Sequence, residues 1–125
     1  MTSDAQFEVA QFEVAQFEVT VPERSGLSVL KVRGEIDVAS APDFGSSLSD
    51  FIGSGPELVI VDMSEATFID STGLGVLISA EKQIRHAGKD LRLVVTHPQI
   101  TKLLELTGLD QVFTVLSSTN DAVRT

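Results

Sequence analysis

The residues best suited to chemistry form one run, Asp70-Ser71-Thr72-Gly73-Leu74-Gly75, directly after Phe68-Ile69. Asp70 or Ser71 offers a side-chain oxygen where a helix must begin. A helix start gathers unpaired backbone N–H groups and partial positive charge, so a hydroxyl there is exposed and a phosphate there is electrostatically favoured. Gly73 and Gly75 each cost about 1 kcal/mol relative to Ala inside a helix, so they need a reason. A backbone left bare for an approaching molecule supplies one. The plainer reading of the same residues is a capped helix start with glycines for close packing.

Other chemistries ask for residues that this run lacks. A serine hydrolase elbow needs Gly-x-Ser-x-Gly, but Ile69 stands where the first glycine should be. His86 lies near a helix end and His97 precedes Pro98; neither has the i, i+4 spacing of a zinc helix, and each reads as a surface or capping residue. A small serine-dependent enzyme using Ser71 with His97 is the remote alternative. Gly73-Leu74-Gly75 lacks the Lys-Ser/Thr of a phosphate loop and the third glycine of a dinucleotide turn. No cofactor is expected. Asp37, Asp62 and Asp70 fall at strand ends or in the loops after them. If the sheet is parallel there, Asp37 and Asp70 share one rim near Ser71; otherwise they are caps and turn residues.

The elements that must position these residues follow from hydropathy. Leu58-Val59-Ile60-Val61 is an apolar strand running into Asp62, apolar on both faces as a central strand should be. A short polar connection leads to a helix from about Thr72 to Ala87. In it Leu74, Leu77, Ile78 and Ile84 recur at helical spacing, Glu81 precedes Arg85 by four on the wet side, and Gly88 suits a left-handed cap. Upstream, Ser25-Gly26 predicts a turn and Leu27 to Ile36 a second strand, ended by Gly34-Glu35-Ile36-Asp37. Ser40 is placed to cap a helix from about Ala41 to Ile52, with Phe44, Leu48, Phe51 and Ile52 as its apolar stripe. Downstream come a strand from Leu91 to Thr96, and a helix opened by Pro98 and closed by Gly108, with Ile100, Leu103, Leu104 and Thr107 on one face. A short strand from Val112 to Leu116 and a helical turn from Asn120 to Arg124 follow. Strands alternating with helices after an initial hairpin predict a single α/β domain with a mixed sheet of about five strands.

Residues 5–19 hold AQFEV three times without a change. Phe and Val alternate with Gln and Glu, a strand pattern, but five is odd, so one continuous strand would turn successive copies to opposite faces. Gln16 to Val21 is expected as the first strand, ended by Pro22, which leaves residues 1–15 as a repetitive extension and residues 16–125 as the domain. The extension reads as a duplicated tract, frayed or able to slip by two copies, the shift that preserves facing; a recruitment motif is the functional alternative.

The 125 residues fit one core, and an apolar fraction of 42% supports a folded protein. A net charge of −9 without a Lys/Arg cluster argues against nucleic acid or an anionic membrane as the main partner. Cysteine is absent, which excludes disulfides and thiolate chemistry. No run approaches a membrane span and the N-terminus lacks the plan of a secretory signal, so the expected location is the cytoplasm.

Assembled, these features resemble the bacterial anti-sigma factor antagonists, which carry the STAS-type domain. The resemblance runs from about Phe17 to Val123 and is most specific at residues 68–77. There the family's phosphorylated serine follows an aspartate, which by carry-over is Ser71. Gly34-Glu35-Ile36-Asp37 is similar to the family's acidic turn, and Leu103-Leu104-Glu105-Leu106-Thr107-Gly108-Leu109 to its third helix and the turn after it. The family has no AQFEV tract, and the last helix here is short.

The resemblance implies a partner-switching regulator rather than an enzyme. The unmodified protein would bind an anti-sigma factor that is also a serine kinase, and so free a sigma factor for transcription, as in stress responses. Phosphorylation of Ser71 would end the binding, and a metal-dependent serine phosphatase would restore it. Partner contacts are expected at Asp37, Asp70, Ser71, Thr72, Gly73 and Gly75. A STAS-type regulatory subunit of a transporter or lipid-transport complex is the alternative within the same domain type.

Overall fold

Apolar side chains on both faces of residues 59–61 put that stretch in the middle of a sheet, and the other elements lie to either side of it. The computed structural model describes residues 15–20 and 28–124. The first two AQFEV copies, Val21, Pro22, the Ser25-Gly26 turn and Leu27 lie outside the described residues. The elements are β1 (Gln16–Thr20), β2 (Val29–Ile36), α1 (Ala41–Gly53), β3 (Leu58–Ile69), α2 (Ser71–Ala87), β4 (Asp90–Val94), α3 (Pro98–Thr107), a 3-10 turn (Leu109–Gln111), β5 (Thr114–Leu116) and α4 (Thr119–Arg124). Strand order is β1-β2-β3-β4-β5, with β1 antiparallel to β2 and every later pair parallel. The expected mixed sheet with an N-terminal hairpin is therefore present.

Two apolar clusters hold the layers together. The larger joins Leu30, Val61 and Leu93 of the sheet to Phe44 and Leu48 of α1, Leu77 and Ile84 of α2, and Ile100 and Leu104 of α3. The smaller joins Val29, Ile60 and Val94 to Ala122 of α4. Burial on both sides explains why Val29 and Leu30, adjacent in sequence, are each 1% exposed.

The structure corrects the reading of residues 63–69. They form no polar connection; β3 continues through them to Ile69. Two register shifts against β2, between Lys31 and Arg33 and between Gly34 and Glu35, change the spacing, so the positions buried in the larger cluster run Val59, Val61, Met63, Ala66, Ile69. That stretch breaks simple alternation and reads as polar. Its charge is met across the strands: Glu65 accepts from Lys31 Nζ at 2.8 Å and Arg33 Nε at 2.9 Å. Asp62 is consequently inside β3, not at its end. Its carboxylate accepts from the Ser64 N–H at 2.9 Å and the Thr119 hydroxyl at 3.4 Å.

Smaller differences have equally local causes. Ile78 is 38% exposed and stands outside the α2 core stripe, which is made by Leu74, Leu77, Ala80 and Ile84. Thr107 is exposed too, its hydroxyl donating back to Leu103 O at 2.8 Å.

Candidate functional site at the β3–α2 junction

The junction forms because β2 and β3 end side by side. Ile36 pairs with Ile69, and the Asp70 N–H donates to Ile36 O at 3.1 Å, fastening the first residue after β3 to the last residue of β2. The parallel pairing brings Asp37 and Asp70 to one rim. Asp70 is the N-cap of α2: one carboxylate oxygen accepts from the Thr72 N–H at 2.9 Å and the Gly73 N–H at 3.2 Å, and the Thr72 hydroxyl donates to the same oxygen. The Thr72 hydroxyl chiefly holds the Asp70 carboxyl below the usual carboxylate range; desolvation opposes it as the next largest effect, and the backbone donors add smaller lowering contributions.

This arrangement separates the two neighbouring hydroxyls. Thr72 is tied to the cap, whereas Ser71 is exposed and none of the described residues holds its side chain. It also qualifies the expectation that a phosphate would be favoured here. Two of the helix's free N–H groups are already taken by Asp70, so a phosphate on Ser71 would stand next to a carboxylate without those donors.

The two glycines do different work. Gly73 is buried, and a Cβ added there would lie 2.6 Å from Ile69 Cγ1 and 2.8 Å from Ile36 Cγ2. It lets α2 start directly on the ends of β2 and β3, so it is a packing glycine and not the bare surface expected of it. Gly75 is exposed, and an added Cβ would meet nothing within 4 Å. With Gly45, Ser49, Thr72, Val76 and Ser79 it lines a groove of about 500 Å³ between α1 and α2.

On the other side of the rim, Asp37 shapes the turn into α1. Its Oδ1 accepts from the Ala39 N–H at 3.0 Å and the Ser40 N–H at 3.2 Å. Ser40 does not cap α1 with its side chain as expected. Its hydroxyl donates to Glu35 O at 2.9 Å and accepts from the Asp37 N–H at 3.0 Å, so the Asp37 turn has captured it. Asp37 and Asp70 are thus a turn residue and a cap that share the rim with Ser71.

The rim also carries apolar groups that hydropathy did not single out. Val38 is 73% exposed, and Phe68, paired with Glu35, is 43% exposed. The sign of Phe68's exposure is its pairing with a charged residue, visible only once β3 is extended. Neither histidine reaches Ser71. His97 Nδ1 accepts from the Gln99 N–H at 3.2 Å to cap α3, and His86 Nδ1 lies 2.9 Å from Lys82 O. Among the described residues no group of three His, Cys, Asp or Glu could hold a metal, and no helix is long and apolar enough to cross a membrane.

The model of the STAS domain family matches residues 18–122. The chain belongs to the STAS domain family. The resemblance read from about Phe17 to Val123 is borne out as to family, and so is the fold it implied. This STAS domain is 30% identical over 106 residues to the anti-sigma-F factor antagonist RsfB of Mycobacterium tuberculosis, covering 83% of this chain and 84% of that one. It is 30% identical over 90 residues to an anti-sigma-B factor antagonist of Staphylococcus aureus, covering 72% and 83%. A solved structure of an anti-sigma factor antagonist from Mycobacterium paratuberculosis superposes with a TM-score of 0.79 at 26% identity, over 88% of this chain and 92% of that one.

Proposed function

We propose that this STAS domain is an anti-sigma factor antagonist working by partner switching, with Ser71 as the switch. In the unmodified state the rim formed by Asp37, Asp70, Ser71, Thr72 and Gly75 docks an anti-sigma factor that is also a serine kinase, and a sigma factor is released. Transfer of phosphate to Ser71 ends docking, and a metal-dependent serine phosphatase reverses it. The protein is the substrate and ligand in this cycle and not its catalyst, and the cycle runs in the bacterial cytoplasm.

One observation carries the reading: the Ser71 hydroxyl is exposed and held by none of the described residues, while its neighbour Thr72 is bound to the cap. Similarity to antagonists from Mycobacterium tuberculosis and Staphylococcus aureus supports the class of partner. A phosphate adds about −1.5 to −2 charges beside Asp70 and bulk next to the open surface at Gly75, so it obstructs docking locally. The cap does not involve the Ser71 side chain, so the fold has no reason to change.

The test mixes the protein with kinase-type anti-sigma factors and Mg-ATP and locates phosphate by mass spectrometry. Phosphate on Ser71, binding retained by Ser71→Ala and lost by Ser71→Glu, is the expected result. Phosphate only elsewhere, or Ser71→Glu binding like the parent, refutes the reading. Amide NMR shifts on phosphorylation should stay within residues 68–88; changes spread through the sheet would refute the local mechanism.

A further inference from the structure

The position held by β1 at the edge of the sheet is defined by few contacts. The Phe17 ring stacks on Phe44 with centroids 5.4 Å apart and planes 16° from parallel, and Ala15 packs beside it on the core. Gln16 lies opposite Arg33, Glu18 opposite Lys31, and Val19 opposite Leu30. Except for Thr20 at the strand end, the residues used, Ala15-Gln16-Phe17-Glu18-Val19, occur in the same order at residues 10–14 and again at 5–9.

From this we propose that the edge position of β1 is a docking site for the AQFEV motif, and that residues 10–14 of the same chain occupy it in exchange with residues 15–19. The two-copy shift expected from facing is not required, and a slip of one copy is enough. The face a side chain takes is set by the position it occupies in the ladder, so Phe12 entering the Phe17 position turns to Phe44 just as Phe17 does. Glu13 then meets Lys31 and Gln11 meets Arg33, restoring each opposition. The one change is at the strand end, where Ala15 replaces Thr20 opposite Val29.

The exchange is close to balanced. Slipping one copy lengthens the connection into β2 from residues 21–28 to residues 16–28, which lowers the population by about twofold through loop closure; slipping two copies lowers it by about threefold. An edge strand with a single ladder partner has only that one set of hydrogen bonds to break and remake.

The absence of cysteine makes the test clean. Lys31→Cys is combined in turn with Glu18→Cys, Glu13→Cys and Glu8→Cys in the full chain, and each pair is oxidised at low protein concentration. Directly opposed residues of an antiparallel pair lie about 4.5–5.5 Å apart at Cα, within disulfide range. Glu18→Cys is the positive control. A monomeric cross-link from Glu13→Cys is the expected result. Cross-linking by Glu18→Cys alone, or Glu13→Cys cross-links found only in dimers, overturns the proposal, the second outcome assigning the site to a neighbouring chain. Thermal melts give an independent reading. Phe17→Ala alone should lower Tm much less than Phe7→Ala, Phe12→Ala and Phe17→Ala together, and equal losses overturn the exchange.

Discussion

Replacing Gly73 and Gly75 separately by Ala should move stability in opposite directions. Both positions are helical, so propensity alone predicts a gain of about 1 kcal/mol at each. At Gly75 the new methyl meets nothing, and that gain should appear nearly whole. At Gly73 it would sit 2.6 Å from Ile69 Cγ1, 2.8 Å from Ile36 Cγ2 and 3.0 Å from Ile69 Cδ1. The two closest atoms are bonded to the Cβ of stiff, β-branched side chains and not at the end of a flexible one. The start of α2 must therefore lift from the sheet. Overpacking of this kind costs about 1–3 kcal/mol, and two approaches under 3.0 Å favour the upper part of that range. After the propensity gain the expected net loss for Gly73→Ala is about 1–2 kcal/mol, or on the order of 5 °C in Tm for a domain of this size. Urea and thermal unfolding of the two variants beside the parent measure it. On the proposed function, Gly75→Ala should also weaken anti-sigma factor binding, measured by calorimetry, despite its greater stability. A Gly73→Ala protein as stable as the parent, or a destabilised Gly75→Ala protein, would refute the division of labour between the two glycines.

Three further outcomes follow from contacts elsewhere. Thr72→Val should raise the Asp70 pKa toward the usual carboxylate value, read from its side-chain carbon shift on titration; an unchanged pKa would mean that the hydroxyl is not its main partner. Because the folded Asp70 carboxyl is depressed, its stabilising effect is complete above the ordinary carboxylate range and fades as pH falls through the lowered value, so the acid limb of the melting profile should shift upward in pH in the same variant. The Glu65 carboxyl, lowered chiefly by the Lys31 hydrogen bond and also by the Arg33 charge, follows the same sign; Lys31→Met should raise its pKa, with 0.5 M salt shrinking the difference between variant and parent. Phe44→Ala removes a fully buried ring and the stacking partner of Phe17, and should cost about 3–5 kcal/mol in urea unfolding.

Hydropathy and capping signals place most of this fold. The stripe Phe44, Leu48, Phe51, Ile52 locates α1, and Gly88 and Gly108 take positive φ at the ends of α2 and α3 as their positions suggest. What escaped is what depends on pairing. Two bulges give β3 a changed spacing of buried residues, so Met63, Ala66 and Ile69 do not announce a strand, and Phe68 is not seen as a surface group until Glu35 is known to lie beside it. At the junction, residue types allowed either Asp70 or Ser71 to cap α2; geometry assigns the cap to Asp70 and leaves the hydroxyl of Ser71 unengaged by any of the described residues. The role of Gly73 was equally out of reach, since Ile36 comes from a strand about a third of the domain away in sequence.

The direction of β1 decides where added chain is delivered. Running antiparallel to β2, it begins at Gln16, just after Ala15, which lines a hollow with Glu35, Asp37, Ser40 and Asp43 on the side of the molecule that bears Ser71. On the proposed exchange, chain upstream of Ala15 would be delivered toward the Ser71 side, and chain released between β1 and β2 toward the opposite pole. Each copy of AQFEV that moved past the edge position would be carried from the first pole to the second, so a slipping strand would act as a spool, shortening the tether near the serine by five residues at every step.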